Sequence, residues 1–335
     1  MNPVDPTIDE YVAGVRAGDR AILARAVTLV ESQSLQDERK AQKLLQKLLP
    51  HSGRAKRVGI TGVPGVGKST FIEAFGCHVI KQGHTVAVLA IDPTSKLSGG
   101  SILGDKTRME NLSREAGAFI RPSPSGDNVG GVARRTREVM VVCDAAGFDL
   151  ILVESVGVGQ SEVALRSMVD YFLLLLLPGA GDELQGIKRG IIEMADDILV
   201  NKADGENKVR AEQACLEQQA ALACLQPVTP GWKTQASICS AVSGLGVAEQ
   251  WQRIEKFYAE MGPKGVIAKR RQAQEVDWLS DLIRDELLRR FDQHPRVRAR
   301  LPQLRESLLR GEMTAVAAAR LLLEEYDNAA DEKNL

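Results

Sequence analysis

Residues 62 to 69 read Gly-Val-Pro-Gly-Val-Gly-Lys-Ser, a full match to G-x-x-x-x-G-K-[ST], and the flanks on both sides suit such a loop. Before it, Arg57 to Thr61 is a short apolar run of strand type. After it, Thr70 to Phe75 continues without a breaker, as a helix does. Backbone N–H groups in such a loop point inward at an anion, and the helix behind them presents the positive end of its dipole. Glycines at 62, 65 and 67 let the chain pass close to the anion without a Cβ clash. The stretch Gly62, Val63, Pro64, Gly65, Val66, Gly67, Lys68, Ser69 and Thr70 therefore reads as a nucleotide phosphate cradle. Lys68 is placed for the β- and γ-phosphates and the Ser69 hydroxyl for Mg²⁺.

A strand–loop–helix unit of this kind belongs in a parallel sheet, and the rest of the chain supplies one. Strand candidates are Arg57–Thr61, Thr85–Asp92, Ala118–Arg121, Leu150–Glu154, Tyr171–Leu177, Asp197–Asn201 and Ala236–Ser240, separated by helical segments. The expected fold class is α/β, a P-loop NTPase with a mainly parallel sheet covered by helices on both faces. Residues 1–55 read as a helical N-terminal extension. Thr7 and Glu10 form a capping box, and helices are expected over Ala21–Glu31 and from Leu35 to Leu49, stopping at Pro50. Residues 56–262 form the nucleotide domain. From 263 to 335 the strands stop, and a helical C-terminal arm begins. Val276, Leu279, Ile283 and Leu287 mark one face of its first helix, which Pro295 closes; shorter helices follow at Leu301–Leu309 and Thr314–Tyr326.

Composition excludes several partners. With 43 basic and 44 acidic residues the net charge is −1, so no nucleic acid or charged membrane surface is expected. Aromatics at 4% argue against a base-stacking platform. The most apolar stretch, Tyr171 to Leu177, ends at Pro178, far short of the roughly 20 residues that span a bilayer. Five scattered cysteines without C-x-x-C spacing read as reduced, buried thiols, and the first residues carry no apolar signal region, so a cytoplasmic location is expected.

Asn201-Lys202-Ala203-Asp204 matches N-K-x-D directly after a strand. Guanine presents N1–H and its N2 amine side by side, and one carboxylate accepts from both. Asp204 is placed for this, with the Lys202 stem along the purine plane and Asn201 bracing the loop. A buried Asp204 facing adenine would be left unsatisfied, at a cost of about 1–3 kcal/mol. Ser240, Ala241 and Val242 follow the last strand, where a backbone N–H can meet guanine O6. GTP and GDP are thus the expected ligands. For Mg²⁺, Asp92 ends one strand and Glu154 another. Each alone can equally be an N-cap or loop charge; two flanking one phosphate loop favour oxygen ligation of a hard cation. Asp105, in a glycine-rich run, can approach the γ-phosphate side. Lys188 is a spare cation able to stabilise charge on the transferred phosphoryl group, with the glycine-flanked Gly179–Asp182 loop beside it.

At these residues the chain is identified by resemblance. IDPTSKLSGGSILGDKTRM, RPSPSGDNVGGVARRTRE, ILVESVGVGQSE, LLPGAGDELQGIKRGIIEMAD and NKAD resemble the MeaB/ArgK family over about residues 55–260. The family comprises GTPases that act as chaperones for adenosylcobalamin-dependent methylmalonyl-CoA mutase; the human relative is the methylmalonic aciduria type A protein. The resemblance implies a GTPase of the signal-recognition-particle/MinD class, a homodimer built through the C-terminal arm, and a mutase partner whose cofactor loading it gates. It also implies metal and switch roles for Asp92, Asp105 and Glu154, and a switch from Pro178 to Lys188. Ser98 and Ser155 stand where threonine is the family pattern, with the hydroxyl kept. No glutamine directly follows the Glu154–Gly157 turn; Gln160 lies three residues on, so slow intrinsic hydrolysis is expected.

Two other readings stay open. ArgK members have been labelled kinases of an amino-acid (lysine/arginine/ornithine) transport system, which would require an acceptor pocket and a general base that no residue advertises. A metal-insertion GTPase would require clustered histidine or cysteine ligands, and the four histidines do not cluster.

Overall fold

The computed structural model describes residues 5–32, 34–91, 109–122, 129–155, 161–179 and 189–331. Contacts divide the chain into two units, residues 1–271 and 272–335.

The first unit opens with three helices, α1 (Ile8–Arg16), α2 (Arg20–Glu31) and α3 (Leu35–Leu48). α1 starts where expected, because the Thr7 hydroxyl accepts from the Glu10 N–H while the Glu10 carboxylate accepts from the Thr7 N–H. Alternation then begins: β1 (Lys56–Gly62), α4 (Lys68–Lys81), β2 (Val86–Ile91), α5 (Glu110–Arg114), β3 (Ala118–Arg121), α6 (Val129–Ala145), β4 (Leu150–Ser155), α7 (Ser161–Arg166) and β5 (Tyr171–Leu176). It continues with α8 (Arg189–Met194), β6 (Asp197–Val200), α9 (Lys208–Ala223), β7 (Ala236–Ile238) and α10 (Val247–Met261). The seven strands form one sheet in the order β3-β2-β4-β1-β5-β6-β7, and every pairing is parallel. β1 lies between β4 and β5, so the chain leaves its C-terminal end into the crevice where open α/β sheets bind ligands.

Two cores sandwich the sheet. Phe71, Phe75, Val79, Trp251 and Phe257 of α4 and α10 cover one face. The other is covered by α6, α7 and the N-terminal helices together, with Tyr11, Leu23, Val27 and Leu44 in one cluster with Val139, Ile151 and Phe172. The helices α1 to α3 are therefore a layer of the sheet's own packing. β5 is buried along its whole length, as a central parallel strand is. Gly59 admits α7 closely: a Cβ there would lie 2.9 Å from side-chain carbons of Leu165 and Val169.

The lower end of the sheet is pinned by buried ion pairs. The Asp144 carboxylate accepts from the N–H groups of Gly53, Arg54 and Ala55 at 2.8–3.1 Å, which sets the approach to β1. Arg271 donates two bonds to Asp170, at 2.8 and 2.6 Å, and further bonds to the carbonyls of Gly53 and Ala55. Tyr258 OH donates to the same Asp170 at 2.8 Å.

Arg271 lies on α11 (Val266–Gln293), and the division between units falls within that helix. In the second unit, Val276, Leu279, Ile283 and Leu287 are 65, 58, 53 and 55% exposed. α12 (Pro295–Leu309) and α13 (Ala315–Asp331) pack through Val297, Leu304, Ala318 and Leu322. The sequence expectation placed a helix start at Leu301; the observed start is Pro295, with proline in the first turn and Pro302 inside the helix. A first-turn proline gives up no hydrogen bond, so Pro295 opens a helix as readily as it closes one. Of the cysteines, Cys143, Cys215 and Cys239 are buried, Cys77 is half-buried and Cys224 is exposed, which corrects the expectation that all are buried.

Candidate functional site

The phosphate loop runs from the last residue of β1 to the first of α4. Gly62, Gly65 and Gly67 have φ of 149, 80 and 95°, the region that glycine enters without strain. A Cβ on Gly62 would meet the Leu175 carbonyl oxygen at 2.5 Å, and one on Gly67 the Asn201 amide nitrogen at 2.8 Å. Val66 is buried beneath the loop and anchors it, while Pro64, Gly65 and Thr70 face solvent.

Lys68 folds back over this loop. Its Nζ donates to the Gly62 carbonyl at 2.8 Å and to that of Val63 at 3.3 Å. Burial pulls its proton affinity down, and the charges of Glu154 and Glu162 oppose that shift. Next to it, Ser69 Oγ donates to Glu154 Oε1 at 3.2 Å, so a hydroxyl from α4 and a carboxylate from the end of β4 converge. Both are hard oxygen donors beside a phosphate cradle, which is the chemistry Mg²⁺ selects. Ser155, one residue on, shares a 2.7 Å hydrogen bond with Thr61; both hydroxyls are fully buried, which ties β4 to β1 just below the loop.

The Asn201–Asp204 segment is joined to the same loop. Asn201 is 2% exposed; its Nδ2 donates to the Val66 carbonyl at 2.8 Å, and its Oδ1 accepts from the Ala241 N–H at 3.4 Å. One side chain thus holds the phosphate loop, the NKAD turn and the Ser240–Val242 turn in register. Lys202, at φ 61°, is the single non-glycine residue of positive φ among the described residues, and its stem passes the loop at Gly67. Asp204 is exposed, where the sequence led to the expectation of a buried carboxylate. Ser240 Oγ donates to Asp204 Oδ1 at 2.7 Å and accepts from the Ser243 N–H. From sequence, only the backbone groups of this triplet point to the base. The Ser240 side chain orients the carboxylate, and nothing in local sequence announces that contact. Val242 is 81% exposed.

Lys68, Ser69, Glu154, Asn201, Lys202, Asp204 and the Ser240–Val242 turn are thus gathered along the C-terminal ends of β1, β4, β6 and β7. Asp92, Asp105 and Lys188 lie outside the described residues, as do Gln160 and Ser98. Glu162, in the first turn of α7, is a further buried carboxylate near the loop that sequence reasoning passed over. Among the described residues no group of three or more His, Cys, Asp or Glu side chains comes together as a metal cluster.

The family described as methylmalonyl-CoA mutase-associated GTPase MeaB matches residues 23–296. The chain belongs to the MeaB family. A probable GTPase of Mycobacterium tuberculosis is 51% identical over 320 residues, covering 96% of this chain and 95% of the relative. A mouse protein named methylmalonic aciduria type A homolog, mitochondrial, is 45% identical, covering 95% of this chain and 79% of the relative. The Escherichia coli GTPase ArgK is also 45% identical, covering 85 and 86%. A solved structure described as an LAO/AO transport system kinase superposes with a TM-score of 0.76 at 34% identity, covering 98% of this chain and 99% of that one. As a member of the MeaB family the chain binds guanine nucleotide and hydrolyses GTP. No helix among the described residues is long and apolar enough to cross a membrane.

Proposed function

We propose that this GTPase is a nucleotide-gated chaperone of adenosylcobalamin-dependent methylmalonyl-CoA mutase, cytoplasmic and homodimeric, that controls cofactor loading and protects the mutase. The family's description and the mouse relative's name support the client. The observation that carries the gating is Asn201, one side chain bonded to both the phosphate loop and the base-side turn, so nucleotide occupancy is felt at both ends of the site.

In this reading Lys68 exchanges the carbonyls of Gly62 and Val63 for the β- and γ-phosphate oxygens. Asp204, set by Ser240, accepts from guanine N1–H and N2, with Lys202 along the ring and the Ser240–Val242 backbone at O6. Ser69 and Glu154 hold Mg²⁺, with Asp92 and Asp105 completing the set. When bound, the ion neutralises charge on the β- and γ-phosphates. Lys188 acts on the transferred phosphoryl group once the segment up to it meets the client, and turnover without the client is slow. The exposed α11 face of Val276, Leu279, Ile283 and Leu287 is the homodimer contact.

The test mixes purified protein with the mutase, with GDP or a non-hydrolysable GTP analogue, and reads complex formation by light scattering and GTP turnover by phosphate release. Nucleotide-dependent association with accelerated turnover is expected. Association in neither state would remove the mutase as client.

A further inference from the structure

α7 is only six residues long, yet its first turn carries a carboxylate that is 2% exposed. Glu162 has no arginine, lysine or histidine ion-pair partner among the described residues. The one hydrogen bond it accepts there is from the neighbouring Ser161 Oγ, at 3.3 Å. A buried carboxylate with so little local compensation is costly unless something else uses its charge. Its place in the fold indicates what that is. Leu165, one turn along α7, packs against Gly59 of β1. α7 runs antiparallel to the strands it covers, so Glu162 stands above that contact, toward the end of β1 where the phosphate loop begins. The cation held there is Lys68, itself 8% exposed, and the charge of Glu162 acts on it.

We propose that Glu162 is a positioning residue for GTP hydrolysis: a fixed negative charge behind the phosphate loop that draws on Lys68 and opposes the triphosphate more than the diphosphate. Glu154 also faces Lys68, but it belongs to the proposed Mg²⁺ set, where the ion offsets its charge. Glu162 stands outside that set, so the ion does not offset its repulsion of the nucleotide. GTP carries one more negative charge than GDP, and the added charge sits at the end of the nucleotide that Lys68 serves. The effect is therefore differential: Glu162 weakens binding of both nucleotides, GTP more so, and the site relaxes toward product. A helix-end carboxylate that merely favours its own helix dipole would produce no such difference.

The inference rests on the phosphate-loop assignment, and the experiment keeps the two apart. Dissociation constants of the full-length protein for GDP and for a non-hydrolysable GTP analogue are measured with Mg²⁺ present, alongside single-turnover hydrolysis. Glu162→Gln keeps the shape and removes the charge. It should tighten both nucleotides, raise the preference for the triphosphate on the order of tenfold, the scale of one charge acting across roughly 12 Å at an effective dielectric near 20, and slow the single turnover. Glu162→Asp, which keeps the charge, should restore the wild-type ratio. Ser161→Ala, which removes the hydroxyl donor, should move the preference toward GDP by about twofold, and it decides the matter should the glutamine variant fail to fold. A triphosphate-to-diphosphate ratio unchanged in Glu162→Gln, or equal weakening of both nucleotides, would overturn the proposal while leaving the phosphate loop intact. Absence of nucleotide binding by the wild-type protein would overturn the loop assignment instead.

Discussion

Replacing Asn201 by alanine tests how far the two halves of the nucleotide site depend on one side chain. The substitution removes the 2.8 Å bond to the Val66 carbonyl and the longer 3.4 Å bond from the Ala241 N–H. Val66 is fully buried and Asn201 is 2% exposed, so water cannot easily replace the lost donor. Stranding one buried polar group costs about 1–3 kcal/mol. Ala241 is half-buried and its bond is long, so the total should stay inside that range. These bonds are made within the protein, without any group of the nucleotide, and hold the loop in place; without them, binding must supply the ordering. At about 1.4 kcal/mol per factor of ten, affinity should fall between roughly fivefold and 150-fold. Because Asn201 touches the loop and not the γ-phosphate end, GDP and GTP should lose affinity by the same factor. Titration of fluorescent GDP and of a non-hydrolysable GTP analogue reads both. Loss confined to the triphosphate, or affinities within twofold of wild type, would refute the argument that Asn201 preorganises the site.

Lys68→Ala should abolish hydrolysis and weaken the triphosphate while the fold survives; phosphate release near the wild-type rate would contradict the loop assignment. Asp204→Asn replaces the double acceptor with an amide, so competition between GTP and xanthosine triphosphate should shift toward xanthine, and unchanged discrimination would remove Asp204 from base reading. Arg271→Ala leaves Asp170 buried without its bidentate cation; urea unfolding should show a loss of about 3–5 kcal/mol, and a loss below about 1 kcal/mol would mean that Tyr258 and the backbone suffice. Serine at Val276, Leu279, Ile283 and Leu287 together should convert a dimer to a monomer in sedimentation without loss of GTP binding; a monomeric wild type would return the stripe to solvent.

What the sequence made legible was whatever is encoded locally. The phosphate loop and its flanking strand and helix follow from glycine spacing and an apolar run, and the observed β1 and α4 meet at Gly62–Lys68 as that spacing requires. The capping box at Thr7 is likewise a three-residue device. The same local reading failed at Pro295, because proline is compatible with both the end and the first turn of a helix. Nor could it show what the N-terminal helices pack against. Periodicity shows that a helix has an apolar face, but not that the face lies on the same side of the sheet as α6, where Gln42 meets Glu138 and Glu31 meets Arg121.

The functional contacts hidden from sequence are those between distant residues. Asn201 reaches Val66 across 135 positions, and Ser240 reaches Asp204 across 36. In both cases the motif names the residue but not the partner that fixes its geometry. The two contacts also differ in consequence. Ser240 holds the exposed carboxylate proposed to meet the base, so its loss should blur guanine recognition and leave the phosphates alone. Asn201 acts on a buried carbonyl inside the phosphate loop, so its loss spreads to every nucleotide that enters. A site built this way reads the base with groups that can be changed singly, and holds the phosphates with a loop that cannot be changed without the base side following. In the proposed gating, that asymmetry lets occupancy of the phosphate loop reach the base-side turn through Asn201.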